Sequence, residues 1–548
     1  MGVFDLKRII CIAITAALLG GCTKVNTGAG TGGRVNSFTV PRTLRYATAE
    51  DLVGLNPHFN QQATLFLMAD LTMAWLLRWD HNNRPIPELA TEVPTQANGG
   101  VSKDGKTITY HIRRGVKWSD GAPFDADDVV FSTNVVNNPA NNEVSRTGWD
   151  LITKIDEPDK YTVVYHLSHP YSSFLVTYFS TAGANPCILP KHILNGLPNI
   201  NNVPYNALPI GIGPFKYQEW KRGDQVVMVP NPNYWRGTPK LQKIVWKSIP
   251  DRNTVMAQLE SQELDLWWPV PGSYFDRIKG LSGYTYLRQP SYYFNHMDFN
   301  LSSAKLKDPA VRQALRYAVD RATLREKIGH GIGILQESPT SPSAPYAVED
   351  IPKVPFDVAK ANQILDQAGW TRGPDGIRAK NGVKLQLDYA TSTGSPDIDQ
   401  QIELIRGWWK QIGVDIVVHH YLSALMFAPY QNNGIIYSGK FDVVNFAWGL
   451  DPLGDFSILY ACDQIPPKGQ NDPRWCNQAA DAAMAKFKVT YDEKARQPYV
   501  STVVHEMVKD APIVVTTVRE DVYIYNKDLK GFHPNQVSQF DDFMNVDI

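Results

Sequence analysis

A surplus of either charge is what this chain most plainly lacks: 54 Lys and Arg face 55 Asp and Glu, a formal net charge of -1 over 548 residues. With no basic excess to neutralise phosphates and no acidic tail, nucleic acid and other polyanions are not expected as partners. Cysteine is scarce at five residues, too few for a disulfide-built scaffold of this length. Internal repeats are missing, and so is any low-complexity tract beyond one short Gly-, Thr- and Asn-rich stretch near the N-terminus.

Complete catalytic signatures are missing too. No GxSxG or CxxC occurs. Gly434 to Lys440, GIIYSGK, fits the spacing of a phosphate loop, but Phe441 stands where a magnesium-binding Ser or Thr is needed and an apolar strand-like run follows. Ser302-Ser303-Ala304-Lys305 fits SxxK without KTG or SDN elsewhere. His505-Glu506-Met507-Val508-Lys509 is one His short of HExxH, and the adjacent His419 and His420 on an expected strand point to opposite faces and cannot chelate together. The chain is therefore expected to be no enzyme and to need no cofactor or metal, with a hydrolase as the remote alternative.

What is present starts with a targeting segment. Lys7-Arg8 forms a short positive region and Ile9 to Leu19 an apolar run too short to span a bilayer, as in a cleavable signal peptide over residues 1–21. Leu19-Gly20-Gly21-Cys22 resembles the lipobox of bacterial lipoproteins, which implies lipidation of Cys22 and anchoring of the protein to a membrane at the periplasmic or cell-surface side. The residues up to 37, TKVNTGAGTGGRVNS, have the composition of a flexible tether. The remaining chain exceeds what one hydrophobic core supports, so two or more lobes are expected. Its 25 Tyr and 14 Trp suit a cleft for varied ligands as well as a large core.

Lys103 to Ser132, KDGKTITYHIRRGVKWSDGAPFDADDVVFS, carries the most information. Asp104-Gly105 is a tight-turn pair, and Ile108, Tyr110 and Ile112 alternate with polar residues as a half-buried strand requires. Asp125 precedes Asp127 and Asp128 where a helix N-terminus offers unpaired N–H groups. Further on, Asp308 and Pro309 open an expected amphipathic helix to Gly329, with Val311, Leu315, Ala318 and Val319 as its apolar stripe and Arg and Lys on the opposite face. Asp357 and Gly369 bound another, and short strands are expected at Leu385 to Tyr389 and Val414 to His419. Helices alternating with strands imply an α/β lobe.

The Lys103 to Ser132 stretch closely resembles the signature region of the family 5 extracellular solute-binding proteins, the dipeptide- and oligopeptide-binding receptors of bacterial ABC importers. The likeness continues through Gly211 to Asp265, with its Asn231-Pro232-Asn233-Tyr234-Trp235 turn, and covers about four fifths of the mature chain. It implies a periplasmic-binding-protein-like α/β fold of the class II, cluster C type. Lobe I would take residues 38–60, 185–289 and 511–548, an accessory subdomain 61–184, and lobe II 290–510, with two crossing segments as the hinge. It further implies a monomeric receptor that traps a small ligand, foremost a peptide, between closing lobes and hands it to membrane permease subunits. Nickel chelates, haem, sugars and opines are the alternative ligands.

Peptide-binding members pair a ligand ammonium with an Asp shortly after a Trp in lobe II. Here Asp451 follows Trp448 at that distance, but Pro452 comes directly after it, so Asp451 is either the ammonium partner or a turn-forming residue. Tyr292, Tyr293 and Asn295 open lobe II just past the first crossing and are candidates to line the cleft. With Cys11 in the signal and Cys22 lipidated, Cys187, Cys462 and Cys476 remain. Cys462 and Cys476 flank a Pro- and Gly-rich loop, and the corresponding loop of peptide-binding relatives often carries a disulfide, whereas Cys187 is expected to be a buried free thiol.

Overall fold

The computed structural model describes residues 36–60, 62–143, 145–182, 186–450, 452–537, 540 and 542–548. Cys22, with the expected signal segment and most of the tether, lies outside the described residues, as does Asp451. Among the described residues no helix is long and apolar enough to cross a membrane.

A ten-stranded sheet runs through both lobes, in the order Asp415–Tyr421, Gln386–Ser392, Val443–Gly449, Tyr284–Phe299, Ile513–Asn526, Leu266–Trp267, Thr43–Thr48, Lys243–Ser248, Gln225–Pro230, Phe215–Lys221. Its centre is the antiparallel pair of long strands, Tyr284–Phe299 outgoing and Ile513–Asn526 returning. The ladder between them is continuous from Tyr284 on Asn526 to Pro290 on Glu520, breaks, and resumes at Phe294 on Val518. On one side of the break the pair is continued by Leu266–Trp267 and by Thr43–Thr48, which lies parallel to Lys243–Ser248. On the other side the outgoing strand pairs with Val443–Gly449, and Gln386–Ser392 lies parallel to Asp415–Tyr421.

Each half has its own cores. Lobe I closes around Leu44, Tyr46, Phe215, Trp246 and Tyr523. Lobe II packs Met297, Leu387, Ile405 and Trp409 on one face of the sheet and Phe294, Phe487, Val503 and Val515 on the other. The accessory subdomain is a three-stranded antiparallel sheet, Thr107–His111, Thr162–Leu167 and Ile152–Asp159, beneath the helix Ala126–Asn137. Ile108 and Tyr110 are fully buried in its core. Asp125 caps the helix in a reciprocal box with Asp128, and Asp128 also accepts from the Trp118 indole at 3.1 Å.

The structure redraws several expected boundaries. The helix Ala63–Thr72, assigned from sequence to the accessory subdomain, buries Leu65, Leu67, Met68 and Leu71 in the lobe I core. Gly211 and Gly213 make this possible, because a Cβ at either would overlap the backbone of Leu71 or Thr72. The accessory core starts at Ala74. On the return strand the ladder breaks between Val518 and Glu520, a few residues past the expected 510/511 boundary. The single helix expected from Asp308 to Gly329 is two, Pro309–Tyr317 and Arg321–Lys327, because Asp320 caps the second through the Thr323 N–H and hydroxyl. Arg312 and Arg316, expected on a polar face, are buried: Arg312 donates to the carbonyls of Leu306, Lys307 and Asp510, and Arg316 pairs with Glu337 at 2.6 Å.

Cys462 and Cys476 are joined, with Cα atoms 4.7 Å apart, and Cys187 is a buried free thiol. The closed loop carries Asn471, whose side chain donates to Ala461 O and Trp475 O and accepts from Trp475 N. Replacing both cysteines with Ser is expected to cost about 3 kcal/mol by the loop-entropy estimate. Denaturant unfolding with and without reductant tests this: the double variant should match the reduced wild type, and an unchanged midpoint would show that the loop is ordered by its side-chain bonds alone.

Candidate ligand-binding site

The bulge at the centre of the sheet forms the floor of a cleft of about 1210 Å³ between the lobes. One wall comes from lobe I and the accessory subdomain, including His58, Phe66, Glu143, Trp149 and Tyr171; the other comes from lobe II, including Leu450, Pro452, Asp455, Ile458 and Lys488. Tyr292, Tyr293, Arg519 and Asp521 lie between them. A second recess of about 570 Å³ over Arg113, Arg114 and Trp235 is an open surface feature within lobe I and the accessory subdomain.

The walls already touch across one end of the cleft. Ser173 donates to Asp455 at 2.9 Å, Ser172 N and Oγ donate to the carbonyls of Lys488 and Phe487, and the Tyr491 hydroxyl donates to Gly105 O at 2.7 Å while accepting from Tyr171 N. A Cβ at Gly105 would sit 2.6 Å from the Tyr491 ring. The Asp104-Gly105 turn of the signature stretch is therefore a point where the accessory subdomain meets lobe II.

Strand alternation decides which charges enter the cleft. In Ile513–Asn526 the run Arg519-Glu520-Asp521 interrupts an otherwise mostly apolar strand, and residues two apart share a face. Glu520 turns away to pair with Arg288 at 2.5 Å and to accept from Gly333 N. Arg519 and Asp521 face the cleft. Burial pushes the Asp521 carboxyl up to about 6, against the opposing pull of Arg519 and Ser291. Elsewhere in the walls, His58 places Nδ1 2.7 Å from Glu143 and Nε2 2.8 Å from Cys187 O. Both partners are acceptors, so the ring holds both protons: burial alone would lower its pKa, but Glu143 and the carbonyl raise it well above the usual histidine range.

The residues expected from sequence separate into distinct places. Tyr292 and Tyr293 line the cleft. Tyr293 is half exposed and lies across Gly449, its partner on the next strand, where a Cβ would meet the ring at 3.0 Å. Asn295 instead donates to Thr517 Oγ1 between the crossing strands, and Trp448 packs on Phe446 with ring centroids 5.7 Å apart; neither is among the cleft-lining residues. Asp451 lies outside the described residues, but its neighbours Leu450 and Pro452 line the cleft. Of the near-miss motifs, Lys305 is held by Asp442 at 2.6 Å and Asp388 at 3.3 Å, while His419 and His420 pair separately with Asp388 and Asp399. Sequence reading missed Arg519 and Asp521, although a charged run inside an apolar strand was available as a signal.

Two lobes joined by paired crossing strands around a cleft define a binding protein of the periplasmic type. The family model for bacterial extracellular solute-binding proteins, family 5, middle region, matches residues 84–467, and the chain belongs to that family. The oligopeptide-binding protein AppA of Bacillus subtilis strain 168 is 28% identical over 455 residues, covering 80% of each chain. The dipeptide-binding protein of Escherichia coli K12 is 26% identical over 459 residues, covering 79% of this chain and 82% of its own. Among solved structures, Bacillus subtilis AppA in complex with a nonapeptide superposes with a TM-score of 0.75 at 24% identity, covering 92% of this chain and 98% of that one. NikZ from Campylobacter jejuni in complex with Ni(L-His) gives 0.75 at 25% identity, covering 93% and 100%.

The raised Asp521 carboxyl makes a stability prediction. The folded state holds this proton more tightly than the unfolded chain does, so the ionised group destabilises the fold increasingly as pH rises from the ordinary carboxylate range through about 6. Asp521→Asn should therefore raise unfolding free energy at about pH 8 by roughly 2 kcal/mol more than at about pH 4. Urea denaturation at both pH values measures it; equal effects at the two would mean that Asp521 titrates normally.

Proposed function

We propose that this chain is the receptor of an ABC importer that captures a peptide in the inter-lobe cleft and delivers it, in the closed form, to the membrane permease. The observation that carries this reading is the cleft itself. Its volume of about 1210 Å³ exceeds the roughly 300–1,000 Å³ of ordinary small-molecule sites. Its floor is made of the two strands through which the lobes are joined, so a ligand contacting the floor is placed to bias lobe closure. The names of the relatives, an oligopeptide- and a dipeptide-binding protein, support a peptide over a nickel chelate, haem, sugar or opine. Asp451, beside the cleft-lining Leu450 and Pro452, is the proposed partner for the ligand ammonium. The receptor acts as a monomer, without turnover, outside the cytoplasm.

Native mass spectrometry of protein purified without refolding should show one retained peptide per chain. Small-angle scattering of protein stripped of ligand should show a smaller radius of gyration when peptide is restored, and the peptide should be recovered intact after long incubation. A retained metal chelate would replace the peptide reading, and a cleaved ligand would establish an enzyme.

Anchoring is proposed to run through Cys22. Cys22→Ser should release the protein into the soluble fraction or leave it unprocessed, while a chain starting at Phe38 binds ligand as the full protein does. Membrane fractionation that is unchanged in the variant would remove the lipid anchor.

A further inference from the structure

Most charged groups in the cleft walls already have a partner. Glu143 holds His58, Asp455 accepts from Ser173 and from the Ser457 N–H, Glu50 accepts from the Thr64 N–H, and Asp150 accepts from the Gly148 N–H. Arg519 differs. Among the described residues its guanidinium makes no ion pair and no hydrogen bond; it lies 5.7 Å from the centroid of the Tyr293 ring and feels the charge of Asp521. That arrangement is built by the fold. Arg519 stands alone opposite the break between Pro290 and Phe294, so it faces Ser291, Tyr292 and Tyr293 across the bulge, and Gly449 gives the Tyr293 ring room to lie flat.

A partly desolvated guanidinium without an acceptor leaves its donors unsatisfied, and its planar fork fits a carboxylate in bidentate fashion. Stacking on an aromatic face restrains the fork without using its N–H groups. We propose that Arg519 is the anion anchor of this receptor, taking a carboxylate of the bound ligand at the hinge itself. The proposal rests on the peptide reading above, and within it the first source of that carboxylate is the peptide C-terminus. Asp521, two residues along on the same face and about 6.6 Å away by strand spacing, is then placed to accept an N–H from the same end of the ligand. Because Arg519 sits where the ladder changes lobes, a ligand held there touches the segment that must flex for closure. Lys488, another cleft-lining cation that makes no side-chain ion pair among the described residues, belongs to lobe II in the last turn of helix Gln478–Val489.

Titration calorimetry with trialanine, trialanine amide and Ala-Glu-Ala amide, on wild type and Arg519→Gln, tests the anchor. Wild type is expected to bind the free acid 10- to 100-fold more tightly than the amide, on the scale of a charge-assisted bidentate pair. Arg519→Gln should lose that preference while binding the amide within about twofold of wild type, and its melting temperature should fall only modestly, because Asp521 loses a neighbouring cation but no direct ion pair is removed. Recovery of affinity by Ala-Glu-Ala amide in wild type alone would assign the anchor to side-chain carboxylates. Equal binding of acid and amide by wild type, with no gain from the Glu side chain, overturns the anchor, as does an acid preference retained in Arg519→Gln or lost only in Lys488→Gln. Should wild type bind none of the three, the peptide reading fails. The anchor is then decided by thermal shifts with Ni(L-His) and citrate: a shift lost in Arg519→Gln supports it, and an equal shift or none overturns it.

Discussion

The antiparallel pairing of Tyr284–Phe299 with Ile513–Asn526 governs most of this molecule. Backbone hydrogen bonding demands that each long strand be paired along its length, yet the two halves belong to lobes with separate cores. The ladder meets both demands by breaking between Pro290 and Phe294. A bulge bends and twists a strand locally, so the lobes diverge from this point and a cleft opens above it. The cleft floor and the crossing between the lobes are thereby the same few residues.

The same break sorts the charges. Strand alternation would send Arg519 and Asp521 to one face and Glu520 to the other in any context, but only the opened bulge turns the first face into a cleft floor. Glu520 finds Arg288 and the Gly333 N–H on the far side, the satisfied arrangement expected of a partly buried carboxylate. The floor charges are left less well compensated, and the upward displacement of the Asp521 pKa is the measurable sign of that. Incomplete satisfaction is a common price of a binding site, since groups fully paired within the protein have little to offer a ligand.

Contacts across the cleft end give a second role to a turn that reads as scaffold. Asp104-Gly105 makes a tight hairpin corner, and the lack of a side chain at Gly105 lets the Tyr491 ring approach its backbone. Tyr491 also receives the Tyr171 N–H, so one hydroxyl ties two segments of the accessory subdomain to lobe II. Polar contacts of this kind hold the accessory subdomain against lobe II at this end of the cleft.

Local signals in the chain were sufficient for many elements: the Asp125 cap, the Asp308-Pro309 helix start, the Asp357 start with the Gly369 stop, and the alternation of Ile108 and Tyr110 all appear where the residues place them. Capping, turn chemistry and two-residue periodicity act within a few residues, so one segment is enough to express them. The tertiary structure alone decided that Ala63–Thr72 serves the lobe I core, that Arg312 and Arg316 are buried, and that Tyr293, Gly449 and Arg519 meet at the cleft floor while Asn295 and Trp448 stay outside it. These outcomes depend on which distant segment removes water from a side chain, and desolvation is a property of the assembled neighbourhood that no local pattern encodes.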